Sequence, residues 1–427
     1  MRTWWSGMLA AVALCGALLA TAGAKQATEP PTLTSDQWRK DLKAFATELP
    51  KRHKNLFHSM TREQFERAVS ELDAAIPELE AHQIIVRMKQ ITALVGDGHT
   101  GVHLPSYFRV YPIALFWFGP DLRVIAATKP YERALGARLV KVGTLTLDEV
   151  QSRIRTCLPS AENENEWHLM SSSPAMIVRA DILHALGVVA DRERASFTFE
   201  DEGGQTFSLE ITPVAITAGA KGAPGIPGMI PAAAAQPLAR QRPGERFWFT
   251  DLPEADLVYV NFRGYDSLGS KARELLKFLD SHPTRRLVID LRQNDGGDFL
   301  EGRQHLVRPL AERPAINQEG RLYVIIGRRT FSAAMVNAID FRKETHAVLI
   351  GEPIGERPNS YSENDEMTLP NSRLVISYST RYYKFLDEDV PAVLPDVRID
   401  PDWMTFKAGR DPVMEWILTA QRAPTTP

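Results

Sequence analysis

The last third of the chain sets buried-type apolar runs between polar, glycine-bearing turns. Leu322-Tyr323-Val324-Ile325-Ile326 is continuously apolar and partly β-branched, which predicts a buried strand. Ser332 to Arg342 then carries apolar residues at helical spacing, and Ala347-Val348-Leu349-Ile350-Gly351 predicts a second buried strand. A strand, a helix and a strand in this order predict a parallel crossover. Upstream, Leu287-Val288-Ile289-Asp290-Leu291 predicts another buried strand, running into the turn Asn294-Asp295-Gly296-Gly297.

The rest of the chain divides unevenly. Residues 34–95 are helix-rich, and Thr61-Arg62-Glu63-Gln64 fits a capping box before Phe65, Val69 and Leu72. Between residues 107 and 213 the pattern shortens to strands with a helix. Residues 215–245 are rich in Ala, Gly and Pro, with no helical or strand period, and predict a flexible linker. From about Phe247 onward the pattern is α/β. The expected division is therefore 25–104, 105–214, the linker 215–245 and 246–427, with no internal repeat.

Three polar features fall at the ends of these elements. Ser332 stands where strand gives way to helix, the place where parallel sheets tend to put ligands and nucleophiles. A serine there is also an ordinary helix N-cap. Gly296 and Gly297 allow positive φ and expose backbone N–H groups, which near a nucleophile could hold the oxyanion of a tetrahedral intermediate. Asn-Asp-Gly-Gly would make a tight turn in any case. His99, in the loop Gly96-Asp97-Gly98-His99-Thr100-Gly101, can act as a general base or simply be solvated. His99 and His103 have zincin spacing, but no glutamate follows the first histidine and the glycines oppose a helix, so no metal site is expected. His168 and His184 read as structural or surface residues, and Trp117 between Phe116 and Phe118 as core. Tyr378, Tyr382 and Tyr383 suit a strand with one wet face, or the lining of a cleft.

Composition narrows the class. The chain has 427 residues, 44% hydrophobic and 24% charged, enough for two or three domains with real cores. Its net charge of −3, with no large basic patch, argues against a nucleic-acid partner. The 96–101 loop lacks the lysine of a phosphate-binding loop, and no cofactor is expected. Arg2, the apolar run Met8 to Ala20 and the small residues Ala22-Gly23-Ala24 predict a signal peptide cleaved after Ala24. The run is short for a membrane span, so no stable span is expected after processing. The expected address is outside the cytoplasm, in a bacterial periplasm. Leu14 before Cys15 does not suit a lipoprotein signal, and cleavage would leave Cys157 as the only cysteine.

Taken together, Asp97-Gly98-His99-Thr100, Val288 to Gly297, Thr330-Phe331-Ser332-Ala333-Ala334, Val348 to Gly355 and Pro395-Asp396-Val397 resemble the S41 family of serine peptidases, the tail-specific and tricorn-like proteases. The resemblance runs from about Thr34 to Leu418. It implies an α/β, multidomain (α+β) chain with a ClpP- or crotonase-like catalytic domain, an N-terminal helical region and a PDZ-like middle segment. Gly136 to Gly143 followed by Leu147-Asp148-Glu149-Val150 is similar to the core of such a PDZ module. It further implies Ser332 as nucleophile, Gly296 or Gly297 together with Ala333 as oxyanion donors, and peptide or unfolded protein as substrate. Many members pair the serine with a lysine, but Gly351-Glu352-Pro353-Ile354-Gly355-Glu356-Arg357 holds none, and arginine cannot serve as a base. The tricorn-like branch uses the histidine that matches His99. It places a serine where Gly98 stands, and takes a carboxylate from the C-terminal region, for which Asp387, Glu388 and Asp389 are candidates. The alternative is an inactive protein of the same fold that binds peptides or small apolar ligands.

Overall fold

A computed structural model describes residues 32–218, 224–282 and 284–420. The targeting segment and Cys15 lie outside the described residues. Three helices open the described chain: α1 (Ser35–Arg52), α2 (Arg62–Ala75) and α3 (Ala81–Ala93). Thr34 with Gln37 and Thr61 with Gln64 close capping boxes on the first two, satisfying N–H groups that a helix start leaves orphaned. Helix α3 buries Ile84, Ile85, Val86, Met88 and Ile91, and ends just before the loop that carries His99.

That loop leads into β1 (Gly101–Val102) and then a mostly antiparallel sheet built from β2 (Ile113–Phe118), β3 (Asp121–Thr128) and β4 (Arg138–Val142). After α4 (Leu147–Arg155) and α5 (Glu166–Ile177), β5 (Ala195–Glu200) and β6 (Thr206–Ile211) extend it. The helical region and this sheet are not separate bodies. One hydrophobic core runs from Trp38, Phe45 and Ile85 through Tyr111 and Phe197 to Ile376.

Part of the expected flexible linker 215–245 pairs and packs within the fold, while its residues 219–223 lie outside the described residues. Within it β7 (Met229–Pro231) pairs antiparallel with β3, with Ile230 opposite Ala127. Ala233 and Ala239 are buried, the former beside Phe118, Trp403 and Phe406. Backbone pairing and small side chains under aromatic rings hold residues 229–239, and neither leaves a hydrophobic period in the sequence.

The α/β part contains a six-stranded sheet. Its strands are β8 (Phe247–Leu252), β9 (Leu257–Phe262), β10 (Arg286–Asp290), β11 (Leu322–Ile326), β12 (Val348–Gly351) and β15 (Val397–Arg398), in that spatial order. All neighbours are parallel except β8 and β9. Val324 at its centre pairs with Ile289 on one side and Leu349 on the other, and is fully buried. Such a side chain contributes about 1.5–3 kcal/mol by leaving water. Helices α6 (Leu268–Ser281) and α7 (Ala333–Glu344) cover one face. The predicted crossover is present as β11, α7 and β12. The other face is covered by the C-terminal helix Pro412–Thr419 through Val413, Met414 and Ile417.

Between β12 and β15 the chain throws out a long hairpin, β13 (Asn359–Thr368) and β14 (Val375–Lys384). Strand β14 pairs back onto β1, with Ser377 opposite Gly101, and so ties the His99 loop to the α/β part. Strand β14 is buried over Val375 to Ser379 and emerges toward its end, so Tyr378 is buried and Tyr382, four residues on and on the same face, is exposed. Burial changes along the strand and does not alternate between a dry and a wet face.

Candidate active site

Ser332 sits between β11 and α7 with φ 53° and ψ −124°, a conformation rare for a residue with a side chain. Its hydroxyl does not cap the helix, so the ordinary N-cap reading fails. Its backbone N–H donates instead to Glu356 Oε2. The double-glycine turn packs directly against this elbow. Gly296 has φ 109°, and a Cβ built there would lie 2.7 Å from the Cβ of Ser332. Only glycine gives both the left-handed backbone and this close approach.

The three proposed oxyanion donors are not equivalent. The N–H of Gly296 is already engaged, donating to Asn294 Oδ1 at 3.0 Å. Among the described residues the N–H groups of Gly297 and Ala333 have no acceptor, and both residues line the cavity that Ser332 faces. The cavity has a volume of about 470 Å³. Phe299, Met335, Val336 and Phe385 give it apolar walls, while Glu363 and Arg381 carry charge into it. Tyr383 lines it as well, so one of the three tyrosines serves the cleft.

His99 is 8% exposed and stacks on Phe331, the residue before Ser332, with ring centroids 4.7 Å apart. Both ring nitrogens are buried without a hydrogen bond. Its Nδ1 faces Glu356 Oε1 at 3.8 Å. Burial disfavours the imidazolium and takes its pKa down to about 4, against the pull of Asp97. No hydrogen bond joins His99 to Ser332.

The loop under His99 is built by Asp97. This buried carboxylate accepts from the N–H groups of His99 (3.2 Å) and Thr100 (2.8 Å) and from Ser379 Oγ (2.7 Å). Burial alone would raise its pKa, but the hydrogen bond from His53, with His58 3.6 Å away and the bond from Ser379, outweighs that and holds it below the usual carboxylate range. Gly98 is required by space. A Cβ there would lie 2.9 Å from both Glu164 Oε1 and the Phe331 ring. Glu164 accepts from the N–H groups of Gly98 (2.5 Å) and Arg357 (3.2 Å), and burial raises its pKa to about 8. Glu356 is pushed well above the carboxylate range by burial and then by Glu164.

The carboxylate beside His99 is therefore Glu356, and the C-terminal acidic trio is corrected. Asp387, Glu388 and Asp389 are exposed. Asp389 pairs with Arg357 at 3.3 Å, and the backbone carbonyl of Glu388 accepts from Asn359. Sequence reasoning passed over Glu356, although it lies in the stretch noted for its missing lysine. His168, expected to be structural, is buried behind Phe331 and bonds to Gly355 O at 3.1 Å.

One trio could offer metal-ligand atoms: His53, His58 and Asp97 lie within 4.8 Å of one another. The N–H of Asn55 donates to His53 Nδ1 at 2.9 Å, which puts the ring proton on Nε2, facing Asp97 Oδ2 at 2.9 Å. That nitrogen has no lone pair to give. The trio acts as a brace for the loop.

No family model matches the chain, and no curated protein sequence matches it. Among solved structures, mature CPAF complexed with lactacystin superposes with a TM-score of 0.58 at 11% identity, covering 90% of this chain and 97% of that one. Mature CPAF by itself gives 0.57 at 11% identity, with 90% and 96% covered. At these identities the likeness is one of fold: the chain shares with CPAF the multidomain α/β fold that its resemblance to the S41 serine peptidases implies.

Proposed function

We propose that the protein is a serine-type peptidase acting on peptides or unfolded proteins. Ser332 Oγ attacks the scissile carbonyl carbon and its proton passes to His99. The N–H groups of Gly297 and Ala333 hold the oxyanion at the start of α7, where the helix dipole favours negative charge. The tetrahedral intermediate collapses, the amine leaves with the proton from His99, and water then releases the acyl group from Ser332. Glu356 fixes the elbow by accepting from Ser332 N–H and lies 3.8 Å from His99 Nδ1. The observation that carries this reading is the strained Ser332 elbow, facing a cavity with two unengaged N–H groups beside it. Catalytic hydrogen bonds often tighten only when substrate binds, so the unpaired His99 is compatible with the role of base. The test is labelling with a fluorophosphonate. Ser332 is expected to be modified, and Ser332→Ala to lose both labelling and peptide hydrolysis.

A second reading, a peptide- or ligand-binding protein on the same fold, is favoured by the missing Ser332–His99 hydrogen bond. It would replace the first if folded protein neither labels nor cleaves peptide libraries. We further propose export with cleavage after Ala24. N-terminal sequencing of periplasmic protein should begin at Lys25, and an intact leader recovered in membranes would refute this.

A further inference from the structure

A second cavity, of about 530 Å³, opens beyond the carboxyl ends of three adjacent parallel strands. Arg292 and Gln293 follow β10, Ile326 and Gly327 end β11, and Gly351 and Glu352 end β12; all of them line it. In open α/β sheets this is where ligands bind, and the volume suits a small molecule. The walls combine apolar and cationic groups. Phe116, Ile125, Phe406 and Val413 supply the apolar part, and seven arginines supply the charge.

The carboxylates around the cavity are already committed. Asp295 and Asp266 pair with Arg246, Asp411 and Asp290 with Arg292, Glu352 with Arg328, and Glu415 with Arg410. Asp402 caps the helix Trp403–Lys407, accepting from Thr405 N–H at 2.9 Å. Three arginines are left without a carboxylate. Arg263 is spent on the carbonyls of Ala239, Gln241 and Arg242. Arg329 is exposed. The guanidinium carbon of Arg240 sits 3.6 Å from the Phe406 ring centroid, and the guanidinium has no hydrogen bond among the described residues. Burial, and then Arg292, pull its pKa down to about 10, as expected for a cation short of a counter-charge.

We propose that this cavity binds a small organic anion, a carboxylate or phosphate monoester with an apolar body, whose charged group pairs with the free fork of Arg240 and whose body lies against Phe406 and Phe116. A guanidinium held against an aromatic ring presents two parallel donors to such a group, a geometry that lysine cannot reproduce. The site is separate from Ser332 and does not rest on the peptidase reading.

The test is calorimetric titration of the full chain with 3-phenylpropionate, phenyl phosphate and the uncharged 3-phenylpropionamide. At least one of the two anions should bind, and the stronger of them identifies the charged group. The amide should bind about tenfold more weakly or worse, since it offers no charge-assisted bond. Arg240→Gln should weaken anion binding about tenfold or more, and Arg240→Lys should fall between it and the wild type. Should Arg240→Gln fail to fold by circular dichroism, the wild type still decides, because anion binding must weaken as salt is raised while amide binding does not. Equal binding of amide and anion, no anion binding at millimolar concentration, or unchanged binding by folded Arg240→Gln would each overturn the proposal.

Discussion

Burial keeps the His99 ring neutral, with a lone pair free to accept a proton, and the same burial opposes the imidazolium that results. Burial lowers its pKa to about 4, so the ring is neutral at pH 7 and stays so well into acid. If it is the base, the acid limb of kcat/KM for peptide hydrolysis should fall near pH 4, not near the 6.5 of a free imidazole. A limb near 6.5 would mean that another group is the base. His99→Ala should lower kcat by about 10²-fold or more while leaving the melting temperature near wild type. Retained activity in that variant, with loss on replacing Lys343 or Lys384, would point to a serine–lysine pair instead. Ser332 and His99 were legible because each stands in a short local motif at the end of a readable element. Glu356 was not, because its role depends on two neighbours, 24 residues away at Ser332 N–H and far upstream at His99. The acidic run 387–389 looked the better candidate only because three carboxylates stood together; in the fold they face solvent.

At the scale of elements, the elbow between β11 and α7 and the turn after β10 form one unit. Their contact is so close that Gly296→Ala should disturb the position of Ser332 without unfolding the sheet beneath it. Fluorophosphonate labelling should fall by about tenfold or more while far-UV circular dichroism is unchanged, in keeping with the sensitivity of catalysis to small displacements. Labelling at the wild-type rate would show that the contact is not needed. The strands of this unit were readable because both sheet faces are covered and every position is buried, with unbroken apolar runs Leu287-Val288-Ile289 and Leu322 to Ile326. The stretch 229–240 was not, since three residues of β7 are too few to show a period and alanines fill the space under Trp403 and Phe406. Ala233→Asp should therefore destabilise the fold by roughly 2 kcal/mol or more, because it puts a charge where only a methyl group fits. An unchanged urea midpoint would return this stretch to the status of a loose linker.

At the scale of the whole molecule, the buried carboxyls sit where the regions meet. Glu164, which precedes α5, accepts from Gly98 in the N-terminal loop and from Arg357 after β12, and so ties three parts of the chain through one side chain. Contacts separated by 66 and 193 residues leave no trace in local patterning, which is why the junction was invisible in the sequence. It does leave a trace in pH dependence. The pKa of Glu164 is near 8 in the folded protein and near 4.5 when free, so the folded state holds a proton that the unfolded state releases. Stability then falls as pH rises between those values and levels off above the upper one. Glu356 acts in the same direction. His99 and His168, with folded pKa values lowered to about 4 by burial, act oppositely, but their effect fades above about pH 7 as the unfolded imidazole loses its proton. From about pH 7 to 8.5 the carboxyls should therefore dominate, and the urea midpoint should fall. Glu164→Gln cannot ionise, so it should reduce this slope whatever it does to the level of stability. A midpoint that rises across that range, or a slope that Glu164→Gln leaves unchanged, would show that Glu164 is already ionised at neutral pH and that its bonds to Gly98 and Arg357 are those of a carboxylate.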